Sequence, residues 1–139
     1  MGYGLSQVSF DTYVPSADII ASNDAVKAVP ATSAWVLVKE IALVSTIGII
    51  SKFRFYFEGA ETGGGSNRGR IYRNNIAIGT ISGAFPGGGG YTAYTEDINT
   101  TNFVIGDKIQ LYGKADNPGC SVRYFRILGV GSEWANTLV

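Results

Sequence analysis

The sequence predicts an all-β fold: an antiparallel β-sandwich of jelly-roll type, with an extended N-terminal arm and a C-terminal tail. Three observations predict it. In KFRFYFE and CSVRYFRIL apolar residues alternate with polar ones, the pattern of strands with one buried and one wet face. Turn signals recur at about the 8–12-residue spacing of sandwiches and barrels. No stretch carries a helical period.

The elements follow in order. Residues 1–16 alternate weakly and read as an arm ending near Pro15; residues 1–33 are expected to comprise that arm and a first strand. The sandwich is expected over 34–129 and a tail over 130–139. AWVLVKEIALV, with Trp35 near its start, is rich in β-branched residues. In KFRFYFE, Phe53, Phe55 and Phe57 face one way while Lys52, Arg54, Tyr56 and Glu58 face the other. GAETGGGSN breaks the chain. RIYRNNIAIGTI then reads as two short strands hinged on Asn74-Asn75, because asparagine tolerates the positive φ that a two-residue hairpin requires. After the turn, Ile76 and Ile78 are expected to share a face.

GAFPGGGGY is a second glycine loop, and TAYTEDI a strand. NFVIGDKIQLYGK reads as a loop, a Gly106-Asp107 turn and a strand with Ile109 and Leu111 inward. DNPG has strong turn chemistry. CSVRYFRIL closes the sandwich with Phe125 and Ile127 on one face and Tyr124 and Arg126 on the other.

Composition narrows the function. Charged residues make up 16% of the 139-residue chain, and eleven basic residues balance eleven acidic ones. A neutral, charge-poor surface favours association, so a homo-oligomer is expected. The same balance argues against nucleic acid, which is bound through clustered Lys and Arg. A membrane role is not expected: Ile41 to Ile50, the longest apolar-leaning run, is too short to span a bilayer. The opening MGYGLSQVSF lacks the basic and apolar regions of a signal peptide.

Catalytic chemistry is largely missing. Without histidine there is no Ser-His or Cys-His relay. Cys120, the single cysteine, reads as a small residue at a strand start. Glu96 and Asp97 are adjacent, so on a strand they point to opposite faces and cannot act as a facing carboxylate pair. Asp116 with Asn117, and Asp97 with Asn99, read as turn formers rather than calcium ligands. The glycine runs lack the Gly-Lys-Ser/Thr and following helix of a phosphate cradle. No cofactor, metal or enzymatic activity is expected.

Aromatics are the positive feature. Trp35, Tyr56, Tyr91, Tyr94, Tyr112 and Trp134 are candidate interface or glycan-contact residues. Tyrosine offers apolar area with a polar tip, which serves a subunit interface and a sugar-stacking platform alike.

The ordered series GRIYRNNIAIGT, YTAYTEDI, NFVIGDKIQLYGK and SVRYFRILG resembles a β-sandwich module of phage tail-fibre, capsid-decoration and other virion proteins. Gly106-Asp107 also resembles the Gly-Asp turn of the complement C1q and tumour-necrosis-factor jelly rolls, which form trimers; that resemblance implies a trimer as one form of the expected homo-oligomer. The resemblance covers roughly residues 34–129 and carries no catalytic residue across. It implies a non-enzymatic structural or receptor-facing role in the virion, with other virion proteins as partners. The alternative is a carbohydrate-binding β-sandwich, extracellular, with a host-surface glycan as partner.

Overall fold

The computed structural model describes residues 19–43 and 50–129, which form nine strands and no helix. They are β1 (Ile19–Asn23), β2 (Lys27–Ala28), β3 (Val36–Ala42), β4 (Ile50–Ala60), β5 (Arg68–Arg73), β6 (Ile76–Ala77), β7 (Thr92–Phe103), β8 (Lys108–Lys114) and β9 (Ser121–Leu128). Trp134, residues 1–18 and the tail 130–139 lie outside the described residues.

Two antiparallel sheets result, as the alternation predicts. The first runs β1-β9-β4-β7, and β2 also pairs with β9, continuing the β1 edge. The second runs β3-β8-β5-β6. The first strand of the N-terminal segment thus pairs within its own chain.

The inner faces supply the core. Phe53, Phe55 and Phe57 of β4 are buried with Ile98 of β7 and Phe125 and Ile127 of β9; the other sheet contributes Val38, Ile41, Ile71, Ile109 and Leu111. Phe103 ends β7 with its ring centroid 4.9 Å from that of Phe53. Asn102-Phe103 was expected as loop; burial of the Phe103 ring instead extends the strand to the tip of the sandwich.

Asn74 and Asn75 have φ of 50° and 69°, the paired left-handed conformation of a two-residue hairpin turn. The return strand is shorter than expected. After Ala77 the pairing becomes irregular but the chain stays on β5: Ile78 N and Gly79 N both donate to Ile71 O at 3.0 Å and Ser82 N to Gly69 O at 2.9 Å, while Gly79 O accepts from Arg70 Nε at 2.7 Å and Thr80 N donates to Glu96. Ile76 and Ile78 do not share an environment, since Ile76 is 69% exposed and Ile78 packs on the core.

Residues 78–85 thus form an irregular strap that follows β5 on its β6 side and reaches Glu96 of β7. Its end is anchored by Phe85, buried 6.2 Å from the Phe57 ring and 5.4 Å from that of Tyr94. Gly59 makes room for that ring, because a Cβ there would sit 2.5 Å from it. On the opposite side, Asn23 Nδ2 donates to Glu40 O at 3.1 Å and the buried Lys39 ammonium donates to Ala25 O. Burial pushes the Lys39 pKa down, and the nearby Asp24 charge opposes that shift.

Candidate functional site

The strap and the β7 edge enclose a cleft of about 240 Å³, lined by apolar Phe55, Phe57, Ile71 and Ile81 and by polar Arg70, Thr80, Ser82, Thr95 and Glu96, with Tyr94 between them. An apolar floor with a few convergent polar groups is the usual form of a small-ligand site.

Register places each polar group. Phe55 of β4 pairs with Glu96 of β7, so Glu96 turns toward the strap, whereas Asp97 pairs with Arg54 on the outer face. The strand alternation thus separates the two acids, as the sequence predicts. Glu96 accepts from Thr80 N at 3.1 and 3.0 Å and from Thr80 Oγ1 at 3.1 Å. Gly79 permits this approach, because a Cβ there would meet Glu96 Oε1 at 2.8 Å. Asp97 is held by Arg54 at 2.6 Å, and the bond from the guanidinium keeps its carboxyl below the usual carboxylate range. With Asp97 turned away and ion-paired, the cleft holds a single carboxylate.

Arg70 joins the cleft to the outer face of the second sheet. It is the cross-strand partner of Tyr112, and Tyr72 is that of Gln110. The rings of Tyr72 and Tyr112 stack diagonally, centroids 3.8 Å apart and planes 14° from parallel. Leu37, 45% exposed, lies across from Tyr112 on β3. Asn75 locks the arrangement: its Oδ1 accepts from Gln110 Nε2 at 2.9 Å and from Tyr112 OH at 3.2 Å, while its N–H donates to Gln110 Oε1 at 2.8 Å. The surface is continuous from an aromatic pair, through a guanidinium, to a carboxylate and hydroxyls.

The other sequence-selected aromatics lie elsewhere. Tyr94 faces inward, stacked on Phe57 at 5.3 Å with its hydroxyl donating to Ala84 O, so it contributes an edge to the cleft and much of its ring to the core. Burial pushes its hydroxyl pKa up. Trp35 is half-buried just ahead of β3.

Tyr56 and Tyr91 belong to the outer face of the first sheet. Tyr56 OH bonds Glu58, Glu58 accepts from Arg123 Nε at 2.7 Å, and the Arg123 guanidinium lies 3.8 Å from the centre of the Tyr91 ring. Burial raises the Glu58 pKa, but the bonds from Tyr56 and Arg123 outweigh it and leave the carboxyl below its usual range. Tyr124, with φ of 54° at a bulge in β9, sits between Arg123 and Arg126, each 4.7 Å from its ring centre. Arg126 in turn holds Asp24 at 2.9 Å. This face spends its charges on itself.

Tyr72, Arg70 and Glu96 are the cleft and platform residues that the sequence did not single out for contact. Strand alternation puts Arg70 and Tyr72 on one face of β5, but their partners across the sheet depend on register. Among the described residues no cluster of three or more His, Cys, Asp or Glu forms a metal site.

No family model matches the chain, and no curated protein matches it. Among solved structures the chain is similar to the C-terminal CBM6 of LamC, a marine laminarinase from Zobellia galactanivorans. That likeness has 15% identity and a TM-score of 0.47, covering 83% of this chain and 96% of that one. It is also similar to the carbohydrate-binding module CBM6cm-2 from Cellvibrio mixtus lichenase 5A in complex with cellotriose, with 15% identity, a TM-score of 0.41, and coverage of 83% of this chain and 94% of that one.

Proposed function

We propose that the protein is a non-catalytic carbohydrate-binding β-sandwich that holds a saccharide along the surface running from Tyr72 and Tyr112 through Arg70 to the Glu96 cleft. The observation that carries this reading is the position of Arg70, which is at once the cross-strand partner of Tyr112 and a wall of the cleft. Sugar recognition needs flat apolar area for the C–H faces of the ring and fixed polar groups for its hydroxyls. The tyrosine pair supplies the first. Glu96, Thr80, Ser82 and the Arg70 guanidinium supply the second, and charged partners make the stronger hydrogen bonds.

The single inward carboxylate suits binding rather than hydrolysis, since glycoside hydrolysis in most families uses two facing carboxyl groups. Assembly into a virion, the form the sequence resemblance implies, has less support. The large exposed apolar side chains Ile19, Val26, Leu37, Ile76, Ile81, Val104 and Ile105 are spread over several elements, and neither solved structure named above is a virion protein. A virion or an extracellular location both suit a glycan-binding surface.

The test is a printed panel of neutral and acidic oligosaccharides, followed by calorimetry on any retained glycan. A ligand held at or below about 1 mM, and lost in Tyr112→Ala, supports the reading. A panel with no retained glycan, in a protein that is folded, overturns it.

A further inference from the structure

At the end of the sandwich where β4 finishes, three loops meet: 61–67, 86–90 and 116–119. Glu61 begins the first and is fully buried, with 0% exposure. Its Oε1 accepts from Gly63 N at 3.0 Å, while its Oε2 has no partner. No ion pair among the described residues involves it. A buried carboxylate without a counter-charge is among the most unfavourable arrangements in a protein interior.

The surroundings identify what relieves it. Oε2 lies between two glycine segments: ideal Cβ atoms on Gly64 and Gly87 would sit 4.0 and 3.8 Å from it. The carbonyl oxygens of Gly63, Gly65, Gly87 and Gly88 accept no hydrogen bond among the described residues. A carboxylate oxygen beside irregular backbone rich in free carbonyls is the donor set of a hard cation. Calcium tolerates such flexible oxygen coordination, whereas magnesium demands near-ideal octahedral geometry. Imidazole is absent from the chain and Cys120 is buried, so softer metals are not favoured.

Asn67 adds a second unsatisfied group to the same loops. It too is fully buried, and its Nδ2 has no partner. Its Oδ1 accepts from Asp116 N at 2.8 Å, which fixes the amide orientation and leaves Nδ2 as a donor. Such a donor needs an acceptor, which a water in the knot would supply; the amide N–H itself does not ligate a cation.

We infer that this loop knot is a calcium site built on the Glu61 carboxylate. The inference is independent of saccharide binding. It does bear on the cleft, because Phe85 N donates to Asn67 O at 2.8 Å and Gly89 N to Glu61 O at 2.9 Å. The ion would hold the same chain segment that continues into the strap.

The test uses the full chain stripped with EDTA. Melting temperature is followed as calcium is raised through about 0.1–10 mM, the range spanning weak extracellular calcium modules. A ligand that binds the folded state alone raises the melting temperature progressively. The expected result is such a rise in the wild type, its loss in Glu61→Gln, and its retention in Asp97→Asn, whose carboxyl lies on the outer face of the first sheet. If Glu61→Gln does not fold, equilibrium dialysis of the wild type against radioactive calcium decides, with one ion per chain expected. A melting temperature unmoved by calcium together with no bound ion overturns the site. A calcium response undiminished in a folded Glu61→Gln overturns it equally.

Discussion

Tyr72 and Tyr112 lie on neighbouring strands, yet they stack diagonally rather than directly across, with ring centroids 3.8 Å apart. Their direct partners are Gln110 and Arg70. Each ring therefore has a polar neighbour beside it and an aromatic one against its face. The stack contributes about 0.5–1.5 kcal/mol beyond the area it buries.

Replacing either ring with alanine should lower stability by that order. Because the pair acts as a unit, Tyr72→Ala/Tyr112→Ala should cost less than the sum of the single changes. Urea unfolding of the three variants measures the coupling as a double-mutant cycle. Strictly additive losses would show that the rings act separately. Glycan retention should fall in both single variants.

Glu96 ties the strap to β7 through Thr80. Glu96→Gln keeps the shape but presents an amide N–H toward a backbone N–H. Hydrogen bonds to charged groups are worth about 1.5–3 kcal/mol, so saccharide affinity should fall by about 10- to 100-fold while the core persists. Amide exchange at Thr80 should quicken in the variant. An unchanged affinity would place the sugar on the tyrosine pair alone.

Asp107 ties the tip of the sandwich together. Its carboxylate accepts from Val104 N at 2.9 Å, Asn74 Nδ2 at 3.0 Å and Arg73 Nε at 3.0 Å. Burial raises its pKa, but these bonds outweigh burial and bring it below the ordinary 3.8. A carboxyl whose folded pKa is depressed stabilises the fold above its unfolded pKa, and that stability is lost as pH falls through the folded value. Melting temperature should therefore drop on acidification below about pH 4. Asp107→Asn should flatten part of that drop. It should also cost about 3–5 kcal/mol at neutral pH, the cost of removing one partner of a buried pair.

Much of the frame was legible because it depends on local pattern. Alternation fixed the inward faces of β4, β8 and β9, and two adjacent asparagines announced the hairpin turn. The same rule separated Glu96 from Asp97. What was not legible depends on long-range pairing. Tyr72 meets Tyr112 only through the β5–β8 register. The strap keeps backbone bonds to Ile71 and Gly69 of β5 with a shifted register, while Arg70 takes Gly79 O and Glu96 takes Thr80 N. The bulge at Tyr124 puts Arg123 and Tyr124 on one face despite their adjacency, which strict alternation forbids. The buried orphan oxygen of Glu61 had no local signal, because burial is set by loops that are far apart in sequence.

Cys120 offers a direct reading of how firmly these loops close. The thiol is buried at 2% exposure, and burial, with Glu61 nearby, pushes its pKa up to about 11. Thiolate is the reactive form, so both access and ionisation oppose modification. In the native protein at neutral pH, Cys120 should react with a disulfide reagent far more slowly than a free thiol, and at the rate of a free thiol in denaturant. Because the raised pKa disfavours thiolate in the folded state, reactivity should grow as pH approaches that value. Gly119, just before it, has φ of 91°, and a Cβ there would meet Thr62 Oγ1 at 2.1 Å. Gly119→Ala should force the two loops apart and speed Cys120 labelling well before the core melts. Labelling unchanged in that variant would mean that the thiol is shielded by β9 packing and not by the loops above it.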